Sequence, residues 1–236
     1  MFNMQVYADG FDQYVSEIYE TFGGYFQSRE ELEVFVKAID EEGRKLFLHL
    51  ASMYHYLINK SELMTDNHCV DYFNNSYKLL TIVSLIESTM GEKYEDFFTW
   101  LSRRRNKNLF PIKREAMPRL YEEYKETHGS QRKFFSFFKE LDNNTKKRLE
   151  EKVRDGNDWY PLTRLSKYLY ELRSEFVHSA IPVLTISEHP VLSKLGDKIH
   201  VSELSLDLLK QVFEHGLLIR FGYSREKLNS LSRNLS

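Results

Sequence analysis

The sequence contains few of the residues that mark tight turns, disulfides or membrane spans. There are only 10 glycines and 5 prolines, whereas a β-sandwich needs frequent turn residues and a doubly wound nucleotide-binding fold usually has glycine-rich turns between strand and helix. Cys69 is the one cysteine, so the chain cannot form an internal disulfide and nothing implies an oxidising compartment. We interpret Cys69 as a packing residue. These absences favour a helical protein.

Long apolar runs are also absent. The longest strongly apolar run, Leu79–Ile86, is far shorter than the roughly 20 residues that span a bilayer. The stretch Asn3–Asp12 is polar and acidic, unlike the basic start and apolar centre of a signal peptide. We therefore expect a cytoplasmic protein with no membrane partner. The net charge of −2 gives no overall reason to expect nucleic acid.

Apolar residues recur with helical spacing along most of the chain, which predicts an all-α fold: a multi-helix bundle in one domain, residues 1–236. Ser28 and Glu31 form a capping-box pattern that should begin a helix reaching Leu57, with a kink at Gly43. Further helices are predicted at about 71–90, 92–105, 114–127, 131–141, 145–154, 159–179 and 202–221. Short extended pieces are predicted at 183–186 and 198–201, and residues 92–157 would form a helical insertion between the main helices.

The predicted helix 159–179 has a continuous apolar stripe that should face the core. Its members are Leu162, Leu165, Leu169, Leu172 and Phe176. At 100° per residue, Arg173 lies about 60° from the centre of this stripe, on a flank shared with Tyr170 and Val177. His178 follows in the last turn, about 140° around the helix from Arg173. A joint role for Arg173 and His178 therefore requires a long reach, a loosened helix end or a second subunit.

A carboxylate lies on the apolar face of the earlier helix, 71–90. Glu87 follows Val83 by four residues, on the same face as Leu79 and Ile86. A charge in that position needs a cationic or hydrogen-bonding partner, and Arg173 is the obvious candidate. The contact would be either a packing ion pair or part of a functional site.

Two segments together resemble a known family. Leu79–Ser88 (LLTIVSLIES) and Tyr168–Ser179 (YLYELRSEFVHS) resemble the two signature helices of HEPN domains, and in particular the Apea-like branch. That family combines an apolar helix carrying a glutamate with a later helix in which tyrosine, leucine and arginine are followed, after four residues, by histidine. The detailed resemblance covers about 25 residues, and the predicted helical context agrees along the whole chain.

The resemblance implies a helical bundle that forms a homodimer and cleaves single-stranded RNA without a metal or cofactor. Arg173 would hold the scissile phosphate and His178 would act as general acid or base, with Glu87, Tyr170 and Ser174 in supporting positions. Active members often carry Asn, Asp or His directly after the arginine, where this chain has Ser174. Many other members are inactive and serve as binding or assembly modules, so a non-catalytic helical module is the alternative. A role in defence, with an antitoxin or sensor protein as a further partner, also belongs to this expectation.

A basic segment precedes the second half of the chain. The residues considered for RNA binding are Arg103, Arg104, Arg105, Lys107, Lys113 and Arg114. The alternative is a solvated loop and helix face, which is the commoner role of such charge runs. The aromatic run Phe134–Phe138 is similarly either core or a base-stacking surface, and the core is favoured.

Sequence motifs for metals and nucleotides are absent. The histidines show no metal-ligand spacing, and neither a phosphate-binding loop nor a dinucleotide-binding glycine pattern occurs. We therefore predict neither a metal site nor a cofactor.

Overall fold

The computed structural model describes residues 10–61, 69–90, 96–103, 111–195 and 198–232, and most of them lie in helices. The α-helices are α1 (Phe11–Phe22), α2 (Arg29–Ala38), α3 (Glu41–Tyr54), α4 (Cys69–Thr89), α5 (Phe97–Arg103), α6 (Met117–His128), α7 (Ser130–Glu140), α8 (Asn143–Glu150), α9 (Leu162–Ser179), α10 (Leu206–Arg220) and α11 (Arg225–Ser232). A π-helical turn, His55–Lys60, follows α3. The strands are β1 (Val153–Asp155), β2 (Asp158–Trp159), β3 (Val191–Leu195) and β4 (Lys198–Ser202).

The capping prediction at Ser28 is confirmed, but the long helix predicted after it is wrong. The Ser28 hydroxyl accepts a hydrogen bond from the Glu31 amide at 3.3 Å. The helix then ends at Ala38, because Ile39 is extended and Asp40 caps a new helix by accepting from the Gly43 amide at 2.9 Å. The interruption is therefore a helix end and a new cap rather than a kink at Gly43.

Helix α4 lies at the centre of the bundle and packs against α3, α7, α9 and α10. Its apolar residues are buried on more than one side, including Leu79, Ile82, Val83 and Ile86, as expected for a helix surrounded by others. The buried apolar side chains of the described residues form one core. Within the described residues, no helix is both long enough and apolar enough to cross a bilayer.

The aromatic run in α7 belongs mainly to this core. Phe134, Phe137 and Phe138 are buried, whereas Phe135 is half-buried at the surface. Helix α10 approaches Phe137 so closely that a Cβ atom on Gly216 would lie 2.0 Å from the Phe137 ring. Glycine at 216 is therefore required for the packing of α7 on α10.

A small antiparallel sheet corrects the expectation of an all-α fold. Its strand order is β2-β1-β4-β3, and it pairs Arg154 with both Trp159 and Val201. The predicted extended piece at 198–201 lies in β4, which pairs with 191–195. Within the predicted piece 183–186, only Ile186 forms a bridge, to Leu204. The sheet also ends the predicted helix 145–154 at Glu150 and delays the start of the next helix from 159 to Leu162.

One further helix and one further helix boundary differ from the sequence prediction. Helix α1 was not predicted, although it buries Val15, Ile18 and Phe22. The last long helix begins after Ser205, whose hydroxyl accepts from the Leu208 amide at 3.1 Å, and not after Ser202. The side chain of Ser202 instead donates to the Thr185 carbonyl at 2.9 Å, which ties β4 to the preceding loop.

Candidate functional site

Helix α9 carries most of the predicted site residues, and its core face is as predicted. Leu165, Leu169 and Leu172 are buried, and Leu162 and Phe176 pack partly buried against the same core. The helix ends at Ser179, because Ala180 takes a left-handed conformation with φ of 52° and Pro182 follows. Arg173 and His178 thus belong to one rigid helix.

Arg173 lies toward α4 and α7 rather than toward His178. Its guanidinium carbon lies 5.6 Å from the centre of the Tyr170 ring, and its Nε atom is buried without a hydrogen-bond partner among the described residues. The predicted neighbour Glu87 is close enough for its charge to interact with Arg173. However, the described side chains include no ion pair between the two residues.

Glu87, Tyr170 and Arg173 are therefore brought together where α4, α7 and α9 meet. Burial raises the pKa of the Glu87 carboxyl, while the charges of Arg173 and Lys133 partly oppose the rise. Burial also raises the pKa of the Tyr170 hydroxyl, and the nearby Glu87 charge adds to this effect. The Ser130 side chain, at the start of α7, partly opposes the rise in the pKa of Tyr170. The cluster is polar, half-buried and held by three helices.

Ser174 and His178 lie on a different side of α9. They line a groove of about 550 Å³, which we call the α9 groove. Its other lining residues are Tyr160, Arg164, Lys167, Tyr168, Glu171, Glu175, Ser179 and His200. Arg173 does not line it. Within one chain the structure thus separates the two residues predicted to be catalytic, in keeping with the angle of about 140° between them.

The basic end of the α9 groove was not predicted from the sequence. His200, on β4, is buried and its Nδ1 atom hydrogen-bonds the Tyr160 hydroxyl. Arg164 stacks 3.8 Å over the Tyr160 ring and donates to Asp155 at 2.9 Å. The sequence held one signal for His200: in a strand its side chain lies on the opposite face from those of Ile199 and Val201. The sequence did not show that β4 lies beside α9.

Charge changes along the α9 groove. Arg164 and Lys167 lie toward one end, Glu171 and Glu175 follow, and His178 lies at the other end. His200 contacts Tyr168, and their ring centres lie 5.4 Å apart. Tyr168 lies before His178 on α9, at a distance of about 15 Å along the helix axis. The two imidazoles therefore lie in different parts of the α9 groove.

Exposed apolar residues surround the C-terminal end of α9. Val177 is 44% exposed, Ile181 51% and Leu184 50%. Around the helix, Val177 lies about 40° from Arg173 and about 100° from His178, between the two. This apolar end, defined by Val177, Ile181 and Leu184, thus adjoins both predicted catalytic residues.

The predicted RNA-binding segment is described only in part. Lys113 and Arg114 are exposed just before α6. The side chain of Arg103 and all of Arg104, Arg105 and Lys107 lie outside the described residues. Among the residues that are described, no three His, Cys, Asp or Glu side chains come together as a metal site would require.

Comparison with known proteins gives no relative. No family model, curated protein or solved structure matches this chain.

Proposed function

We propose that the protein is a HEPN-like homodimer that cleaves single-stranded RNA without a metal, at a cleft shared by two copies of α9. The observation that carries this proposal is the exposed Val177, which lies between Arg173 and His178 on the surface of the helix. A second copy seated on Val177 and Ile181 would contact both sides of α9. Two-fold symmetry would then bring two copies of each side chain into one cleft.

The half-buried cluster gives Arg173 a fixed position beside this cleft. The Tyr170 ring lies beside the guanidinium, and the Glu87 charge is near enough to interact with it. An arginine without an ion-pair partner among the described side chains retains its donors for a phosphate. Arg173 would therefore bind the scissile phosphate and stabilise the charge that develops on it during cleavage.

The imidazole of His178 supplies proton transfer. One copy removes the proton from the 2′-hydroxyl, whose oxygen then attacks phosphorus and forms a new P–O bond. The bond from phosphorus to the 5′-oxygen breaks, and the second copy of His178 donates a proton to the leaving oxygen. The products are a 2′,3′-cyclic phosphate and a 5′-hydroxyl. Ser174, next to Arg173 in sequence, offers a hydroxyl to orient the substrate.

The test is incubation of the purified protein with mixed single-stranded RNA in excess chelator. Cleavage should leave cyclic phosphate ends and should be lost in His178→Ala. His189→Ala is the matched control, because His189 is also an exposed histidine but lies outside the α9 groove. Equal activity in wild type and both variants would remove His178 from the mechanism.

A non-catalytic binding or assembly module is the second candidate, and one observation favours it. Glu171 and Glu175 line the α9 groove close to His178, where their negative charges oppose the approach of a phosphate. If the protein is a stable dimer that leaves diverse RNAs intact, this candidate replaces the nuclease. Ser174, which stands where active HEPN members often carry Asn, Asp or His, would then be the first residue to vary.

A further inference from the structure

A second groove lies between α6, α7 and α9. It has a volume of about 780 Å³, within the range of ligand sites. We call it the tyrosine groove, after Tyr121, Tyr124 and Tyr170, which line it together with Phe135. Among its cationic lining residues are Lys125, Arg132 and Lys167. Acidic Glu122 and Glu126 also line it, so the described cations exceed the acids by one.

Aromatic rings are stacked along α6 beside this groove. The rings of Tyr121 and Tyr124 are nearly parallel, with centres 6.2 Å apart, and Tyr124 stacks in turn on His128. Phe97 packs edge-on against Tyr121 and supports it from α5. Tyr121 nevertheless remains 45% exposed. The fold thus holds a large aromatic surface in a fixed orientation at the mouth of a groove.

Two of the aromatic residues are each followed, four residues later, by a lysine whose ammonium lies near the ring. The Lys125 ammonium lies 4.6 Å from the centre of the Tyr121 ring, and the Lys139 ammonium lies 4.5 Å from that of Phe135. A nucleotide combines a flat base, which stacks on aromatic rings, with a negative phosphate, which pairs with a cation. A ring with an adjacent lysine matches both parts. Lys125 also pairs with Glu122 at 2.7 Å, so a phosphate would take the place of that carboxylate.

The tyrosine groove also leads to the proposed cleft. Tyr170 lines the groove and touches Arg173, and Val177 lies two turns further along the same side of α9, about 10 Å away. Lys167 lines both the tyrosine groove and the α9 groove. A strand of RNA that passes Arg173 would therefore reach the tyrosine groove with its next nucleotides.

We propose that the tyrosine groove binds the bases of single-stranded RNA next to the scissile phosphate, with Tyr121 as a stacking platform and Lys125 as a phosphate contact. This inference rests on the proposed function for the choice of RNA as the ligand. It predicts little preference between bases, because every base has a face that stacks. It also predicts that double-stranded RNA binds weakly, because its bases are already stacked.

The experiment measures binding by fluorescence anisotropy in the His178→Ala background, so that RNA is not cleaved. The probe is a single-stranded RNA of about ten nucleotides, compared with a ribose-phosphate chain of equal length that has no bases. Tyr121→Ala should weaken RNA binding about 5- to 150-fold, and Tyr121→Phe, which keeps the ring, should change it less than about twofold. Binding of the chain without bases should not respond to Tyr121→Ala.

Lys125→Gln provides a second, independent variant. It should reduce the slope of log binding constant against log salt concentration by about 0.7, the value for one phosphate contact on a single strand. Circular dichroism of each variant checks that α6 remains folded. Unchanged RNA binding in Tyr121→Ala, or an equal loss for the probe without bases, would overturn the inference.

The outcomes separate this inference from the proposed function. If Tyr121-dependent binding is found but the wild type cleaves no RNA, the tyrosine groove stands and the nuclease fails. If cleavage depends on His178 but binding is indifferent to Tyr121, the nuclease stands and the groove fails. If Tyr121→Ala alters the oligomeric state in sedimentation and not RNA binding, the groove is a protein contact and the inference is wrong.

Discussion

Glu87 and Arg173 face one another where α4 packs on α9, and their charges interact although the described side chains form no ion pair between them. Burial raises the pKa of Glu87 above its usual 4.5, and Arg173 limits the rise. Arg173→Met should therefore raise the pKa further and, at pH 7, lower the free energy of unfolding by at most about 1 kcal/mol, because solvent screens part of the interaction. Because the Glu87 carboxyl binds a proton more tightly in the folded protein than in the unfolded chain, the contribution of Glu87 to stability is largest at acid pH. It declines as the pH rises through the raised pKa.

Urea unfolding at acid and neutral pH tests this relationship. Glu87→Gln should weaken the pH dependence, because it removes the titrating group. In the Glu87→Gln background, Arg173→Met should lower the free energy of unfolding much less than it does in the wild type. An equal cost in both backgrounds would show that Arg173 stabilises the fold without Glu87.

A second buried carboxylate predicts a different pH effect. Tyr25 donates to Oε2 of Glu214 at 2.6 Å, and Tyr54 donates to Oε1 at 2.8 Å. Burial raises the pKa of Glu214, while the two tyrosine hydrogen bonds restrain the rise. Tyr54→Phe should therefore lower the free energy of unfolding by about 1–3 kcal/mol at neutral pH, because the Glu214 carboxylate loses a hydrogen-bond donor. The decrease should be smaller at acid pH, where Glu214 is protonated.

Thermal or urea unfolding over a pH series would measure this difference. Tyr72→Phe is the matched control, since Tyr72 is 43% exposed and should change stability little at any pH. A Tyr54→Phe cost that does not vary with pH would mean that the hydroxyl acts through packing rather than through the Glu214 charge.

The core face of α9 gives a prediction of stability alone. Leu169 is 1% exposed within the core, so Leu169→Ala should lower the free energy of unfolding by about 2–5 kcal/mol. Val34→Ala, at a position 68% exposed on α2, should change it by less than about 0.5 kcal/mol. A similar small change at both positions would contradict the assignment of this face.

Helical periodicity explains why α4 and α9 could be predicted, together with the neighbouring positions of Glu87 and Arg173. Both helices carry long apolar stripes, and a charge on such a stripe has few positions where it can find a partner. The angle between Arg173 and His178 follows from the same geometry. It already indicated that one chain would bring the two side chains together only through a long reach of Arg173 or a loosened helix end.

The sheet and the basic end of the α9 groove could not be predicted in the same way. Strands β1 and β2 have three and two residues, too few to show an alternating pattern, and β1 continues a stretch with helical spacing. The turn between them contains Gly156 with φ of 59°. This left-handed conformation does not continue a helix. Pairing of β1 with β4 is a contact between distant segments, and it is this contact that brings His200 to Tyr160.

The last prediction concerns the apolar end of α9. Val177→Glu places a charge at a position 44% exposed, so one chain should tolerate it with a change in unfolding free energy of less than about 0.5 kcal/mol. In a dimer built on this surface, two copies of the new carboxylate would meet near the symmetry axis and repel one another. Val177→Glu should therefore shift the protein to monomer in sedimentation and abolish RNA cleavage together. Val34→Glu, at an exposed valine on α2, should leave both unchanged. A Val177→Glu protein that remains dimeric, or a monomer that still cleaves RNA, would show that the catalytic residues do not meet across this surface.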